Sequence, residues 1–298
     1  MKKISDEIRD GKLLVSDGAW GTLLMEKGLK PGDCPEYMCL TNRQIVFEIA
    51  KGYVDAGSDL ISTNSFGANR FKLLHYGLEK RVSEINKAAA SISREAAGNS
   101  RHVLGSIGPT GKILLMGDVT EVELYDAFAE QASALEKGGA DAALVETMSA
   151  IDEAFLAVKA VKENTNLEII CTFAFERTPK GEYRTMMGIT PSDMAVTLIN
   201  AGADIIGANC GTGIRNMAGI VKEFRSVSGE IPIMIQANTG KPHFKGDRTI
   251  FPETSEYMAS IVPELISAGA NIIGGCCGTS PKHIRKIAGV IKRPTAPE

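Results

Sequence analysis

Apolar residues fall into short, nearly continuous runs that alternate with longer stretches in which apolar and polar positions mix at helical spacing. The short runs are Leu13–Val15, Leu60–Ser62, Val103–Ile107, Ala142–Val145, Ile169–Phe173, Ile205–Ala208, Ile233–Ala237 and Ile272–Gly275. Each is followed by enough chain for a helix. Such runs predict buried strands of a parallel sheet covered on both faces. Helix signals lie between them. Thr120 and Glu123 form a capping box, and Leu124, Phe128 and Leu135 then share one helical face. Thr190-Pro191 and Ser280-Pro281 each place a capping hydroxyl before a proline at the first helical position. Pro263 falls inside a helical pattern and predicts a kink or a break.

One phrase recurs four times, as Ala56-Gly57-Ser58-Asp59, Gly138-Gly139-Ala140-Asp141, Ala201-Gly202-Ala203-Asp204 and Ala268-Gly269-Ala270-Asn271. Each follows a helical run and precedes a strand, where glycine suits a left-handed helix cap. The repeated glycines lie 82, 63 and 67 residues apart. A barrel βα unit takes about 30 residues, so the copies mark every second unit: strands 2, 4, 6 and 8. The expected fold is α/β, a single-domain (β/α)8 TIM barrel over residues 1–298. The alternative is an open doubly wound sheet, but no glycine-rich dinucleotide fingerprint follows the first strand.

Composition narrows the class. With 44% hydrophobic and 23% charged residues, the chain is an ordinary globular one. A net charge of −3 argues against nucleic-acid binding, which needs a basic face. No apolar run approaches the roughly 18–20 residues of a membrane span. The start, Met1-Lys2-Lys3-Ile4-Ser5-Asp6-Glu7, lacks the apolar segment of a secretory signal. A cytoplasmic, reducing location is therefore expected, and the six cysteines are thiols or metal ligands before they are disulfides. The tail from Lys292 to Glu298 resembles the start of a linker.

Seven residues beyond each repeated glycine stand Asn64, Glu146, Asn209 and Cys276; eight beyond stand Ser65, Thr147, Cys210 and Cys277. Apolar strand gives way to polar residues at one offset in all four copies. That marks the carboxyl ends of the strands, where barrels of this kind build active sites. Strand 7 alone separates strands 6 and 8, so Cys210 can converge with Cys276 and Cys277. Three thiolates around one point suit Zn2+ and leave a fourth tetrahedral position open. The competing readings of the adjacent pair are a vicinal disulfide or two plain buried thiols. Cys171 lies mid-strand as a small core residue, and Cys34 and Cys39 lie in an early loop. The four histidines show no paired ligand spacing and are expected on the surface or in loops. Zinc held by three thiolates is a poor activator of water and better suited to binding a fourth thiolate, so the expected substrate is a thiol acting as nucleophile.

The motifs Ser16-Asp17-Gly18-Ala19-Trp20-Gly21-Thr22, Thr63-Asn64-Ser65-Phe66-Gly67-Ala68, Gly108-Pro109-Thr110-Gly111, Val145-Glu146-Thr147, Gly207-Ala208-Asn209-Cys210, Ala237-Asn238-Thr239-Gly240-Lys241-Pro242 and Gly274-Gly275-Cys276-Cys277-Gly278-Thr279 span nearly the whole chain. Together they resemble the homocysteine S-methyltransferase family, whose branches draw methyl from cobalamin, betaine or S-methylmethionine. The resemblance implies a (β/α)8 barrel with zinc ligands at Cys210, Cys276 and Cys277. It implies that Asp17 and Glu146 receive the homocysteine ammonium, and that Gly18, Ala19 and the Thr63–Ser65 segment, with Asn64, meet its carboxylate. Asn209 and Asn238 would also line the substrate site, with Asn238 occupying or flanking the fourth zinc position. From the residues alone, Asp17 can equally shape a turn, Glu146 can cap the next helix, and Asn64 and Asn209 can shape loops. Trp20 is either a packing anchor or a pocket wall.

The motifs around Asp17 and Gly108 are most similar to the cobalamin-dependent branch. The expected activity is zinc-dependent methylation of homocysteine to methionine. Because one barrel uses the 298 residues, the expected donor is a methyl-corrinoid protein or domain. Alternatives are S-methylmethionine or betaine as donor, another thiol as acceptor, or a non-catalytic zinc- or thiol-binding barrel. Few aromatic residues stand near the strand ends to cage a cationic donor: Trp20, Phe66, Phe173 and Phe175.

Overall fold

A computed structural model describes residues 1–245 and 248–292. Eight parallel strands form one sheet: β1 (Leu14–Val15), β2 (Leu60–Ser62), β3 (His102–Ile107), β4 (Ala142–Met148), β5 (Glu168–Phe173), β6 (Ile205–Gly213), β7 (Ile233–Asn238) and β8 (Ile272–Gly275). Their order is β1-β8-β7-β6-β5-β4-β3-β2, and a parallel bridge from Ser16 to Leu60 brings β1 back to β2. One long helix follows each strand: α1 (Arg43–Ala56), α2 (Val82–Ala97), α3 (Glu121–Gly138), α4 (Ile151–Asn164), α5 (Pro191–Ala201), α6 (Ile214–Val227), α7 (Ser255–Ala268) and α8 (Pro281–Ile291). The fold is a (β/α)8 barrel, and each of the eight apolar runs is one of its strands.

The fourfold phrase has a structural cause. Gly57, Gly139, Gly202 and Gly269 end α1, α3, α5 and α7 in the left-handed region, at φ of 101°, 102°, 97° and 110°. Side chains there are strained and glycine is not. Two residues on, an Asp or Asn side chain reaches the odd-numbered strand next door. Asp59 accepts from the Val15 amide (2.9 Å), Asp141 from Val103 (2.7 Å), Asp204 from Ile169 (2.8 Å) and Asn271 from Ile233 (2.9 Å). The backbone amides of the same four residues donate back to those partners' carbonyls. Each copy thus fastens an even strand to the odd strand before it.

Inside the barrel, Leu14, Leu60, Leu104, Ala142, Leu144, Ile170, Ile205, Met234 and Ile272 pack into a plug that Ile4 and Ile8 of a short N-terminal helix complete. The Glu168 carboxylate fixes that helix by accepting from the amides of Ile4 (2.7 Å) and Ser5 (2.8 Å). Successive inward positions lie two residues apart on a strand. One step above the plug these positions become small or polar: Ser16, Ser62, Ser106, Glu146, Thr172, Gly207, Gln236 and Gly274. The barrel is therefore sealed by apolar packing below and carries a polar layer above, toward the carboxyl ends.

Capping boxes form at Thr120–Glu123 and Thr190–Asp193, and Leu124, Phe128 and Leu135 are buried together. Two expectations change. α7 continues through Pro263 without a break. His102 is buried at the start of β3, where its Nε2 meets Glu7 at 3.1 Å, and is not a surface or loop residue. Of the tail expected to begin a linker, Arg293 to Glu298 lie outside the described residues. Lys292 is tied to the barrel through Gly57 O (2.8 Å) and Asp59 (2.6 Å).

Candidate functional site

β4 and β6 each depart from regular pairing at the mouth, between Val145 and Met148 and between Asn209 and Gly213. Thr147 (φ 61°) and Cys210 (φ 56°) take left-handed backbone at these irregularities, and no other non-glycine residue described does so. They stand at the same offset from their repeated glycines. Non-glycine residues hold this conformation only where surrounding contacts over-determine it. Asn209 supplies those contacts. Its Oδ1 accepts from the Thr147 amide (2.9 Å) and from Thr172 Oγ1 (2.8 Å), and its Nδ2 donates to Thr147 Oγ1 (2.7 Å). Gly211 follows at φ 59°, and a Cβ there would lie 2.2 Å from the Phe175 carbonyl oxygen. The turn that presents Cys210 thus depends on a glycine after it and an asparagine before it.

Cys210 on β6 and Cys276 and Cys277 just beyond β8 come together, their sulfurs all within 4.8 Å of one another and partly buried. Asn238, at the end of the intervening β7, bridges them. Its Oδ1 accepts from the Cys277 amide (3.0 Å), and its Nδ2 lies 3.6 Å from Cys210 Sγ. Hydrogen bonds from the other two thiols hold Cys210 well below the ordinary thiol range, and the same sharing raises Cys276 and Cys277. Three soft donors in this span, from rigid strand ends, fit a tetrahedral thiophilic cation such as Zn2+. The other cysteines stand apart. Burial pushes Cys34 and Cys39 up to about 12, and Cys171 higher still.

Two carboxylates lie in the polar layer. Asp17 is fully buried. It accepts from the Ser62 amide (2.7 Å), Ser62 Oγ (2.9 Å), Trp20 Nε1 (3.1 Å) and Ser16 Oγ (3.4 Å). Burial pushes it up to about 6 against those donors. Glu146 is partly exposed at the mouth and accepts from Ser106 Oγ. Burial, with the nearby charges of Asp17 and Cys210, raises it to about 7. Glu146 does not cap the next helix, whose first residue finds no side-chain cap. Trp20 is both packed against the core and bonded to Asp17.

The other candidates sit in a knitted rim. Thr63 Oγ1 pairs with Ser65 Oγ (2.6 Å) and accepts from the Ser106 amide (2.9 Å), and Ser65 Oγ donates to the Ser106 carbonyl (2.7 Å). Asn64 turns to the Pro35 carbonyl (2.8 Å) and shapes the early loop. The Ala19 amide donates to Thr279 Oγ1 (3.0 Å), and a Cβ on Gly18 would lie 2.5 Å from that same oxygen. Thr279, Ser62, Ser106 and Thr172 are site residues that sequence reasoning missed. Their partners are distant in the chain, and only the shared inward register of Ser62, Ser106 and Thr172 hinted at them. Among the aromatic residues considered for the mouth, Phe173 and Phe175 are buried and stacked on each other, 6.1 Å between centroids. Phe251, not considered, lies within 2.4 Å of where a Gly278 Cβ would be.

A family model described as homocysteine S-methyltransferase matches residues 14–291. The chain belongs to the homocysteine S-methyltransferase family. Methionine synthase of Mycobacterium tuberculosis (strain ATCC 25618 / H37Rv) is 29% identical over 98% of this chain and 26% of its own length. Methionine synthase of Mycobacterium leprae (strain TN) is 30% identical over 95% of this chain and 24% of its own length. The chain therefore spans about a quarter of these curated relatives. Among solved structures, the metallated form of the homocysteine methyltransferase MmuM from Escherichia coli aligns with TM-score 0.78 and 21% identity over 95% of this chain and 98% of that one. The oxidized form of that enzyme aligns with TM-score 0.79 and 22% identity, covering 97% and 99%. At these identities the structural likeness concerns the fold.

Proposed function

We propose that the chain holds Zn2+ through Cys210, Cys276 and Cys277 and methylates homocysteine to methionine, with a methyl-corrinoid protein or domain as donor. The observation that carries this reading is the meeting of three sulfurs within 4.8 Å above a layer that bears two carboxylates. Zinc bound there supplies an open position at which a thiol loses its proton yet stays nucleophilic. The chain's own residues do the rest. Asn238 fixes the Cys277 backbone, and Asn209 anchors the strand end just before Cys210 to Thr147 and Thr172. Glu146 accepts from Ser106 through one oxygen and offers the other to the substrate ammonium. Asp17, held by Ser62 and Trp20, adds negative charge beneath it. The Gly18–Ala19 turn and the Thr63–Ser65 segment flank the pocket where the substrate carboxylate would lie. A mere zinc store has no use for this carboxylate layer, which favours an amino-acid thiol as acceptor.

The donor assignment rests on space and on rings. A sulfonium or betaine donor calls for an aromatic cage around its cation. Phe173 and Phe175 are spent in the core, and Trp20 is bonded to Asp17. Phe66 and Phe251 stand on separate loops, beside Gly108 and Gly278. A large carrier must bring its methyl group within roughly 3–3.5 Å of sulfur, which requires an open mouth. Leu115 and Met116, in a single 3-10 turn after β3, and Met186, in the connection after β5, stand exposed at 87%, 75% and 88% and fit contact with a protein carrier. The similarity to methionine synthases points the same way. Among the described residues no helix is long and apolar enough to cross a membrane.

The test is homocysteine methylation with methylcobalamin, S-methylmethionine or betaine as sole donor. The expected outcome is turnover with methylcobalamin at high concentration, accelerated by a corrinoid protein, and none with the other two. Turnover with S-methylmethionine or betaine, and none with methylcobalamin, overturns the donor assignment.

A further inference from the structure

Gln236 sits on the inward face of β7, two residues below Asn238. Its partners in register are Asn209 on β6 and Gly274 on β8. It is 4% exposed. Its Nε2 donates to Ser16 Oγ (3.2 Å), which in turn donates to Asp17 (3.4 Å). Its Oε1 is buried with no hydrogen-bond partner. Every other polar side chain of this layer has a partner: Ser16, Ser62, Ser106, Thr172 and Asn209 are all paired, as are both carboxylates. A buried amide oxygen left without a donor is costly and uncommon in folded proteins. Here it lies in the layer beneath the three cysteines.

We propose that Gln236 is a further substrate-contacting residue, whose Oε1 accepts a hydrogen bond from the α-ammonium group of the amino-acid thiol. This rests on the function proposed above. The donor inventory supports it. An ammonium carries three N–H donors. Both Asp17 oxygens are already engaged by Ser62, Trp20 and Ser16. One Glu146 oxygen is engaged by Ser106. The remaining Glu146 oxygen and Gln236 Oε1 are the carboxylate and amide oxygens of this layer that no donor engages. Ser16 holds the amide nitrogen end, so the oxygen end is presented in a fixed orientation. Gln236 thereby reads the presence of the amino group, while the cysteines read the thiol.

The test compares homocysteine with 4-mercaptobutanoate, which keeps the thiol and carboxylate and lacks the amine. Binding of each to zinc-loaded wild type, Gln236→Met and Gln236→Glu is measured by calorimetry, with zinc content and unfolding midpoint as controls. Gln236→Met nearly preserves volume, and Gln236→Glu preserves an acceptor. The expected result is about a tenfold loss of homocysteine affinity in Gln236→Met, with 4-mercaptobutanoate unchanged within about twofold and affinity for homocysteine restored in Gln236→Glu. Equal losses for both ligands, or no loss for either, overturns the assignment and makes the amide structural. Failure of wild type itself to bind homocysteine rejects the underlying function and this inference together, whereas a loss with Glu146→Gln but none with Gln236→Met rejects this inference alone.

Discussion

Glu146 sits where burial and neighbouring negative charge oppose its ionisation, and its carboxyl is raised to about 7. A raised carboxyl stabilises the folded protein below the ordinary carboxyl range, where it is protonated in both states. That contribution is lost as pH rises through the folded value, because the folded state resists releasing a proton that the unfolded chain gives up. Metal-free wild type should therefore lose roughly 2–3 kcal/mol of stability, relative to Glu146→Gln, between about pH 4.5 and 7.5. Urea unfolding of both proteins across that range checks it. A constant difference would show that Glu146 ionises freely in the fold. The cysteines were legible in the sequence because adjacency and a shared offset both marked them. The roles of Trp20, Thr279 and Ser106 were not, because their partners lie across the barrel. Thr279 reaches the amide of Ala19 from 260 residues away, a contact that no local pattern encodes.

At the level of the element, the repeated Gly-x-Asp turn does two things: its glycine ends a helix, and its acid ties neighbouring strands. The native use of Asn271 for the same bond shows that an acceptor is needed there and that charge is not. Asp204→Asn should therefore cost little, whereas Asp204→Ala strands the Ile169 amide and should cost about 1–3 kcal/mol. Denaturant unfolding at neutral pH distinguishes them; equal effects would mean that the charge, and not the hydrogen bond, carries the stability. The strands and the caps were readable because apolar runs and capping residues act locally. Pro263 was not, since a proline costs one intrahelical bond and its helix can hold it through packing: Val262 and Leu265 on either side are fully buried. His102 escaped for a similar reason, its place at the head of β3 being decided by Glu7 of the N-terminal helix.

For the whole molecule, closing eight strands into a ring places β6, β7 and β8 side by side. That placement brings Cys210, Cys276 and Cys277 to one point with Asn238 between them. The apolar plug below stiffens the ring, and the polar layer above it turns the barrel interior into a pocket. The offset pattern foretold this convergence. It did not foretell that Phe173 and Phe175 would turn outward into the layer between sheet and helices, where they stack on each other and Phe175 meets Phe224 edge-on. Phe173 closes β5 and faces opposite to inward Thr172, whereas the side that Phe175 takes is set beyond the strand, where β5 has already ended. The central claim is that the three cysteines hold zinc and leave one place for the substrate's sulfur. X-ray absorption at the zinc edge, counting sulfur neighbours at about 2.3 Å before and after homocysteine is added, tests it most directly. The count should rise from three to four; a count that starts below three, or stays at three with homocysteine bound, contradicts the account.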